Sequence, residues 1–230
     1  MIRLLLPFIA LTASAELRVG TWNIAKGAKL DTVLAELASA PMKDADVLAL
    51  QEVLTGAEGG QETRLAQAHG GSVAVAGRDV IVSRLPIVSS GSLIVNPATG
   101  RQAAWAVVRY EGRELKMYSV HLSYKIGRNP FVADVRASEM RSVLADAAGF
   151  AGPVVVAGDY NTIGWFVCCS EDEPALAELK KAGFSDGTAS APGRTHHLAG
   201  RTDWIFTRGL EARGATRGQY AGSDHRWMMS

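Results

Sequence analysis

The chain has 230 residues, 47% of them hydrophobic and 20% charged, with 24 Gly, 8 Pro and 2 Cys. That much apolar surface offsets the entropy of ordering and excludes a disordered chain, and no three- or seven-residue period supports a collagen-like or coiled-coil architecture. The formal charge is +1, from 24 Lys and Arg against 23 Asp and Glu, which argues against a strongly basic nucleic-acid scavenger.

At this length a single domain is expected, and no linker rich in Pro, Ser or Gly divides the chain. The first fifteen residues stand apart. Met1 and Arg3 supply a small positive end, Leu4 to Leu11 an apolar run, and Ala13-Ser14-Ala15 a small-residue cleavage pattern. They read as a signal peptide over 1–15, cut before Glu16, leaving a domain over 16–230. The run is far shorter than the ~20 residues that span a bilayer, so no stable membrane anchor is expected after cleavage. The mature chain, neutral once Arg3 is gone, is expected to be secreted or periplasmic.

From Leu17 onward, short apolar runs bounded by turn residues predict strands at Leu17–Ile24, Val47–Leu50, Val80–Val82, Ala103–Tyr110, Leu115–Val120, Val154–Ala157 and Trp204–Phe206. A 3.6-residue apolar period predicts helices at Leu30–Ala38 and Val132–Phe150. Pro174–Gly183 reads as a short helix with Pro in its first turn and Gly at its end. Val47–Leu50 and Val154–Ala157 do not alternate, so both should be buried on two faces. Glu111-Gly112 joins two strands as an antiparallel hairpin. Strands interspersed with helices predict a layered α/β sandwich. Acids crowd residues 31–62 and cations crowd 101–141, an asymmetry that could build a basic face for a phosphate-rich ligand. Cys168 and Cys169 are adjacent, so they cannot staple distant segments, and the fold must rest on its core.

What ends these strands carries the chemistry. Asn23 closes the first, Gln51-Glu52 the second and His121 the fifth. Gly158-Asp159-Tyr160-Asn161 follows Val154–Ala157, Asp203 opens Trp204–Phe206, and Ser223-Asp224-His225 lies near the end. Six such ends bearing Asn, Asp, Glu and His predict a site where the sheets open to water. Carboxylates with amide oxygens suit a hard cation such as Mg²⁺ or Mn²⁺. HExxH, GxSxG and GxxxxGK[ST] are all missing, which disfavours a thermolysin-like zinc site, a hydrolase elbow and a P-loop. Metal, histidines and carboxylates without a Ser or Cys nucleophile favour water attacking phosphorus.

Thr21-Trp22-Asn23, Leu50-Gln51-Glu52-Val53, Ser83-Arg84-Leu85-Pro86, His121-Leu122, Gly158-Asp159-Tyr160-Asn161, Asp203-Trp204-Ile205 and Ser223-Asp224-His225 follow one another in an order that resembles the endonuclease/exonuclease/phosphatase superfamily with the DNase I-like fold. The resemblance implies an α/β four-layer sandwich of two mixed β-sheets flanked by helices. It also implies phosphoester hydrolysis with Mg²⁺, for which Mn²⁺ or Ca²⁺ could substitute. By position, Glu52 is implied as the principal metal ligand, helped by Asn23 and Asp224. The resemblance likewise implies that His225 acts on the attacking water, with Asp203 fixing its tautomer, and that Asp159 and Asn161 position the water and the phosphate oxygens. In parts of the family the equivalent of Asp159 is the base instead, and both assignments stay open. His121 is implied to hydrogen-bond a phosphate oxygen or the leaving group, with Asp79 as its carboxylate partner. Tyr160 stands where Phe is more usual.

On the substrate side, Arg84, Lys125 and Arg128 are candidates for touching phosphate, and Trp165 and Phe166 for stacking or for anchoring a loop. His196-His197 reads as a solvated loop pair that could add to the site. The favoured expectation is a DNA endonuclease of little sequence preference. The alternative is a phosphatase or phosphodiesterase on small phosphoesters, phosphoinositides or phospholipid headgroups, and a silent binding module is the remote one. The compact loops lack the long insertions with which abasic-site endonucleases grip DNA, and no membrane-inserting hairpin is evident. No protein partner is inferable.

Overall fold

A computed structural model describes residues 16–124, 131–162 and 173–230. The expected leader, Lys125, Arg128, Trp165, Phe166, Cys168 and Cys169 lie outside the described residues. In chain order the elements are β1 (Val19–Asn23), α1 (Leu30–Leu37), β2 (Val47–Gln51), α2 (Gln61–His69), β3 (Ser72–Ala76), β4 (Asp79–Ser83), β5 (Ile87–Asn96), β6 (Arg101–Tyr110) and β7 (Arg113–His121). There follow α3 (Phe131–Ala148), β8 (Val154–Asp159), α4 (Pro174–Lys181), β9 (Ser185–Asp186), β10 (Asp203–Arg208), β11 (Thr216–Arg217) and β12 (Met228–Met229).

The strands form two six-stranded sheets, ordered β11-β12-β1-β2-β4-β3 and β5-β6-β7-β8-β10-β9. Both are mixed: β1 runs parallel to β2 and β7 parallel to β8, whereas the other pairs are antiparallel. The period of two along a strand sends neighbouring side chains to opposite layers. In β2, Val47 and Ala49 face the second sheet, while Leu48 and Leu50 face the side covered by α1 and α2. The layer between the sheets is rich in small residues, Ala49, Ala74, Ala104, Ala106 and Ala157 among them, which lets the sheets approach closely. Beyond the second sheet, Met140, Val143, Leu176 and Leu179 of α3 and α4 pack on Tyr118, Val156 and Phe206. The result is the four-layer α/β sandwich expected from the sequence. β2 and β8 are buried throughout, as their non-alternating runs predict.

Helix α2 and strands β3 and β5 have no counterpart among the sequence expectations. α2 reads QETRLAQAH and offers the core little more than Leu65 and Ala66, and Ser-Ser-Gly-Ser interrupts the apolar run of β5. Among the described residues no helix is long and apolar enough to cross a membrane.

Register places the polar strand ends together. Asn23 pairs with Gln51, so Glu52 follows at the same end of the first sheet. His121 pairs with Asp159, and Asp159 with Asp203, at one end of the second.

Candidate active site

Two site residues adopt a left-handed φ that non-glycine residues seldom take, Glu52 at 58° and Asn161 at 51°. Each turns the chain just after a buried strand. Gly158 lies against β7 so closely that a Cβ there would sit 1.9 Å from the Val120 carbonyl oxygen. Only glycine lets β8 bring Asp159 beside His121.

Asp159 is the hub. Its Oδ1 accepts the Asn161 N–H at 2.9 Å, which aims Oδ2 at three side chains. Asn23 Nδ2 donates to it at 3.0 Å, His121 Nε2 lies 3.5 Å away and His225 Nε2 3.7 Å away. The Asn23 amide also reaches Glu52 Oε1 at 3.3 Å, while its oxygen accepts the Ala25 N–H at 3.0 Å. The amide nitrogen, not the oxygen, therefore faces the carboxylates. Asn161 Nδ2 ties the turn to the Leu122 carbonyl at 3.0 Å.

Behind the hub stands a carboxylate–imidazole pair. Asp203 is fully buried, and its Oδ2 lies 2.9 Å from His225 Nδ1 while accepting the Thr202 hydroxyl at 2.9 Å. Thr195 Oγ1 accepts the N–H groups of Thr202 and Asp203, at 2.9 and 3.1 Å. The turn carrying His225 hooks onto β1. The Ser223 hydroxyl donates to the Asn23 carbonyl at 2.6 Å, and Trp22 Nε1 donates to the His225 carbonyl at 3.1 Å. Asp224 sits on the far shoulder of this turn, 3.6 Å from His196 Nε2.

Burial opposes charge on His225, but Asp203 and Asp159 outweigh it and raise its pKa to about 10. His121 moves the other way: burial and the Arg101 guanidinium lower it against the pull of Asp159. Burial pushes the Asp79 carboxyl well above the usual range, Arg101 opposes this, and Asp159 and Glu52 add to it. The His196 ring, 3.6 Å away, leads in holding Asp224 down, at about 2.

The structure thus brings together Asn23, Glu52, His121, Asp159, Asn161, Asp203 and His225, with Asp224 at their edge. Asp79 shares a cavity of about 340 Å³ with Glu52, Arg101 and His121. Its carboxyl reaches the main chain of His121, and among the described residues the carboxylate beside the His121 ring is Asp159, not Asp79. Arg84 does not join the site. Ser83 pairs with Val47, the opposite end of β2 from Gln51, and Arg84 there bonds the Asp44 carbonyl at 2.8 Å and pairs with Asp46 at 3.6 Å.

The cations of 101–141 form no free basic groove among the described residues. Arg109 pairs with Glu114, Lys116 with Asp146, Arg136 with Glu173 and Arg141 with Glu178. Those acids lie on neighbouring elements, which the order of residues along the chain does not reveal. Arg101 is the member that joins the site, bonding the His121 carbonyl. Trp22 and Ser223, present in the ordered motifs without an assigned role, support the site, as do Thr195 and Thr202, which were not singled out. Only its adjacency to Asp203 could have marked Thr202, and nothing in the sequence marks Thr195.

A divalent cation suits the donor set: Asp159 and Glu52 are close enough to Asp79 to disfavour its charge, and hard oxygen donors dominate. Asp159, Asp203 and His225 also bring ligand atoms within 4.8 Å of one another. There, however, Asp203 is committed to the His225 ring, so that trio is an orienting pair facing a carboxylate. A larger cavity of about 680 Å³, lined by Leu17, Tyr110 and Leu210 among others, contains none of these side chains.

The model of the endonuclease/exonuclease/phosphatase family matches residues 20–225. No curated protein matches the chain by sequence. Among solved structures, an endonuclease/exonuclease/phosphatase from Bacteroides vulgatus is similar at 16% identity and a TM-score of 0.72, covering 93% of this chain and 97% of that one. A mannosyl-6-phosphatase from Bacteroides thetaiotaomicron VPI-5482 is similar at 17% identity and 0.67, covering 93% and 98%. A sphingomyelinase C from Streptomyces griseocarneus is similar at 16% and 0.67, covering 95% and 99%. At such identities the likeness speaks for the fold alone.

Proposed function

Because the chain belongs to the endonuclease/exonuclease/phosphatase family, whose members are phosphoester hydrolases that generally depend on a divalent metal, we propose that it hydrolyses a small phosphoester with a histidine-activated water. The observation that carries this reading is the Asp203–His225 pair aimed at Asp159, at 2.9 and 3.7 Å. The raised pKa keeps a proton on Nε2 as well in the metal-free protein, so His225 serves as the base from its neutral form, with Nδ1–H held by Asp203 and Nε2 free to take the proton of the attacking water. Asp159, fixed by the Asn161 N–H, orients that water. His121, kept from charging by its burial and by Arg101, donates a hydrogen bond to a phosphoryl oxygen as negative charge builds there. Glu52 is the residue to hold the cation, assisted by Asp224 at the edge of the site, while Asn23, whose oxygen is taken by the Ala25 N–H, steadies Glu52 and Asp159 through Nδ2. Once bound, the ion supplies Lewis-acid polarisation of the phosphoryl oxygen.

Two observations favour a small substrate over a DNA duplex. The space beside Glu52 and His121 is a single cavity of about 340 Å³, flanked by Lys26 and Arg101. Among the described residues, Arg109, Lys116, Arg136 and Arg141, cations of the kind a duplex would need along its backbone, are paired with acids. The test is a panel run with Mg²⁺ and with EDTA: bis-p-nitrophenyl phosphate, sugar phosphates, phospholipid headgroup esters and supercoiled plasmid. Turnover of the small esters, abolished by EDTA and by His225→Ala, is expected. Plasmid nicking that outpaces every small ester overturns the substrate assignment and restores the endonuclease. We further propose that the chain is exported after cleavage before Glu16, which N-terminal sequencing of the mature protein tests.

A further inference from the structure

Beside the site, His196, His197 and Asp224 bring ligand atoms within 4.8 Å of one another, an arrangement that first suggests a second metal centre. The hydrogen bonds around His196 point elsewhere. Its loop turns back on itself, with the Thr195 and His196 N–H groups both on the Gly200 carbonyl at 2.9 Å. That turn directs two further amides at one ring nitrogen: His196 Nδ1 accepts the Leu198 N–H at 3.0 Å and the Ala199 N–H at 2.9 Å. A neutral imidazole has one donor nitrogen and one acceptor. With Nδ1 the acceptor, the proton resides on Nε2, which then has no lone pair to offer a metal. That Nε2 lies 3.6 Å from Asp224 Oδ2.

The loop is also stitched to the turn that bears Asp224 and His225. The His197 N–H bonds the Asp224 carbonyl at 3.1 Å, and the Arg226 N–H bonds the Thr195 carbonyl at 2.8 Å. The His196 ring meets the His225 ring edge-on, with centroids 4.7 Å apart. Loop and turn therefore hold one geometry, and the ring cannot swing away from Asp224 without breaking both amide contacts.

We propose that His196 is a positioning residue for Asp224: loop amides fix its proton on Nε2, and that N–H holds the Asp224 carboxylate in place at the metal-binding edge of the site. The cluster is a donor–acceptor pair serving the reaction centre, not a second metal centre. This rests on the reading of Asp224 as a carboxylate that assists the cation. Its physical logic is that of outer-shell partners, which orient ligands and whose loss typically costs about 10–100-fold in metal affinity.

The test has two parts on the full chain. Imidazole ¹⁵N NMR on the EDTA-treated protein should show His196 as the Nε2–H tautomer at neutral and higher pH. An Nδ1–H tautomer overturns the inference by itself, whatever the metal does. Mn²⁺ binding followed by EPR should then weaken about tenfold or more in His196→Leu. His196→Gln retains a side-chain N–H near the position of Nε2 and should bind Mn²⁺ within about twofold of the parent. Melting curves establish that each variant is folded. Unchanged affinity in a folded His196→Leu overturns the proposal. So does loss of a second Mn²⁺ in both variants, which makes the cluster a metal centre. Unchanged affinity in Asp224→Asn refutes the metal reading of Asp224, and with it the purpose assigned to His196, while leaving the tautomer result standing.

Discussion

Asp203 contributes to the chemistry without facing the substrate. Its Oδ2 bonds both His225 Nδ1 and the Thr202 hydroxyl, and its other oxygen, buried, has no partner among the described residues. Asp203→Asn keeps the shape and removes the charge, so the amide no longer favours imidazolium. In EDTA-treated protein, His225 should titrate near the value of about 10 in the parent and closer to an ordinary histidine in the variant, read by NMR. Turnover should fall by about 10²–10⁴-fold, because the neutral ring then carries its proton on Nε2 and has no lone pair there to take one from water. The stability difference follows the same linkage. A folded pKa raised above the unfolded ~6.5 stabilises fully below that pH, and the contribution disappears as pH rises through the folded value. Asp203 and Asp159 were legible in the sequence because each sits at a strand end among like residues, and His225 because Ser223-Asp224-His225 completes the ordered motifs. Thr195 was not, because its hydroxyl acts through a loop fold that no local pattern encodes. Arg84 illustrates the converse: its place next to a turn was visible, but the antiparallel register that carries it to the far end of β2 was not.

At the scale of elements, the approach of β7 to β8 sets the distance between His121 and Asp159. Val120 pairs with Gly158 one step before those two residues pair, and the Val120 carbonyl occupies the space a Cβ would need. Gly158→Ala must push the strands apart or rotate the Gly158–Asp159 peptide. We expect a stability loss of about 1–3 kcal/mol, as for other overpacked interiors. Turnover should fall by about 10²-fold in protein still fully folded, since a misplacement of ~1 Å has that cost. Denaturant melts and single-turnover rates at low temperature separate the two effects, and a variant with parental turnover refutes the dependence on strand spacing. The strands that meet here were predictable because Val-rich runs buried on both faces allow few alternatives. α2 and β5 escaped prediction for the opposite reason: their residues satisfy neither period well, and tertiary contacts decide their conformation.

Across the whole molecule, the site straddles the seam of the sandwich. The first sheet supplies Asn23 at the end of β1, Glu52 just after β2, and Asp79. The second supplies His121, Asp159 and Asp203. A polar tie crosses the seam beneath them, from Gln51 Nε2 to Ser119 Oγ at 3.0 Å, with Ser119 donating to the Leu50 carbonyl at 3.2 Å. That two sheets would meet was legible from the ordered motifs; which residues would bridge them was not, since Gln51 and Ser119 are 68 positions apart. Such a seam gathers carboxylates from both sheets, Asp159 of one and Glu52 of the other both opposing charge on Asp79, so a cation held between them stabilises the whole fold and not one element. By mass action, Mn²⁺ at about 100 times its dissociation constant contributes about 2.7 kcal/mol. For a chain of this size that raises Tm by roughly 5–10 °C. EDTA should reverse the rise, and Glu52→Gln, which leaves the fold intact but weakens the site, should abolish most of it in scanning calorimetry. An equal rise in Glu52→Gln would mean that the ion binds elsewhere, and Glu52 would lose its assignment as the residue that holds it.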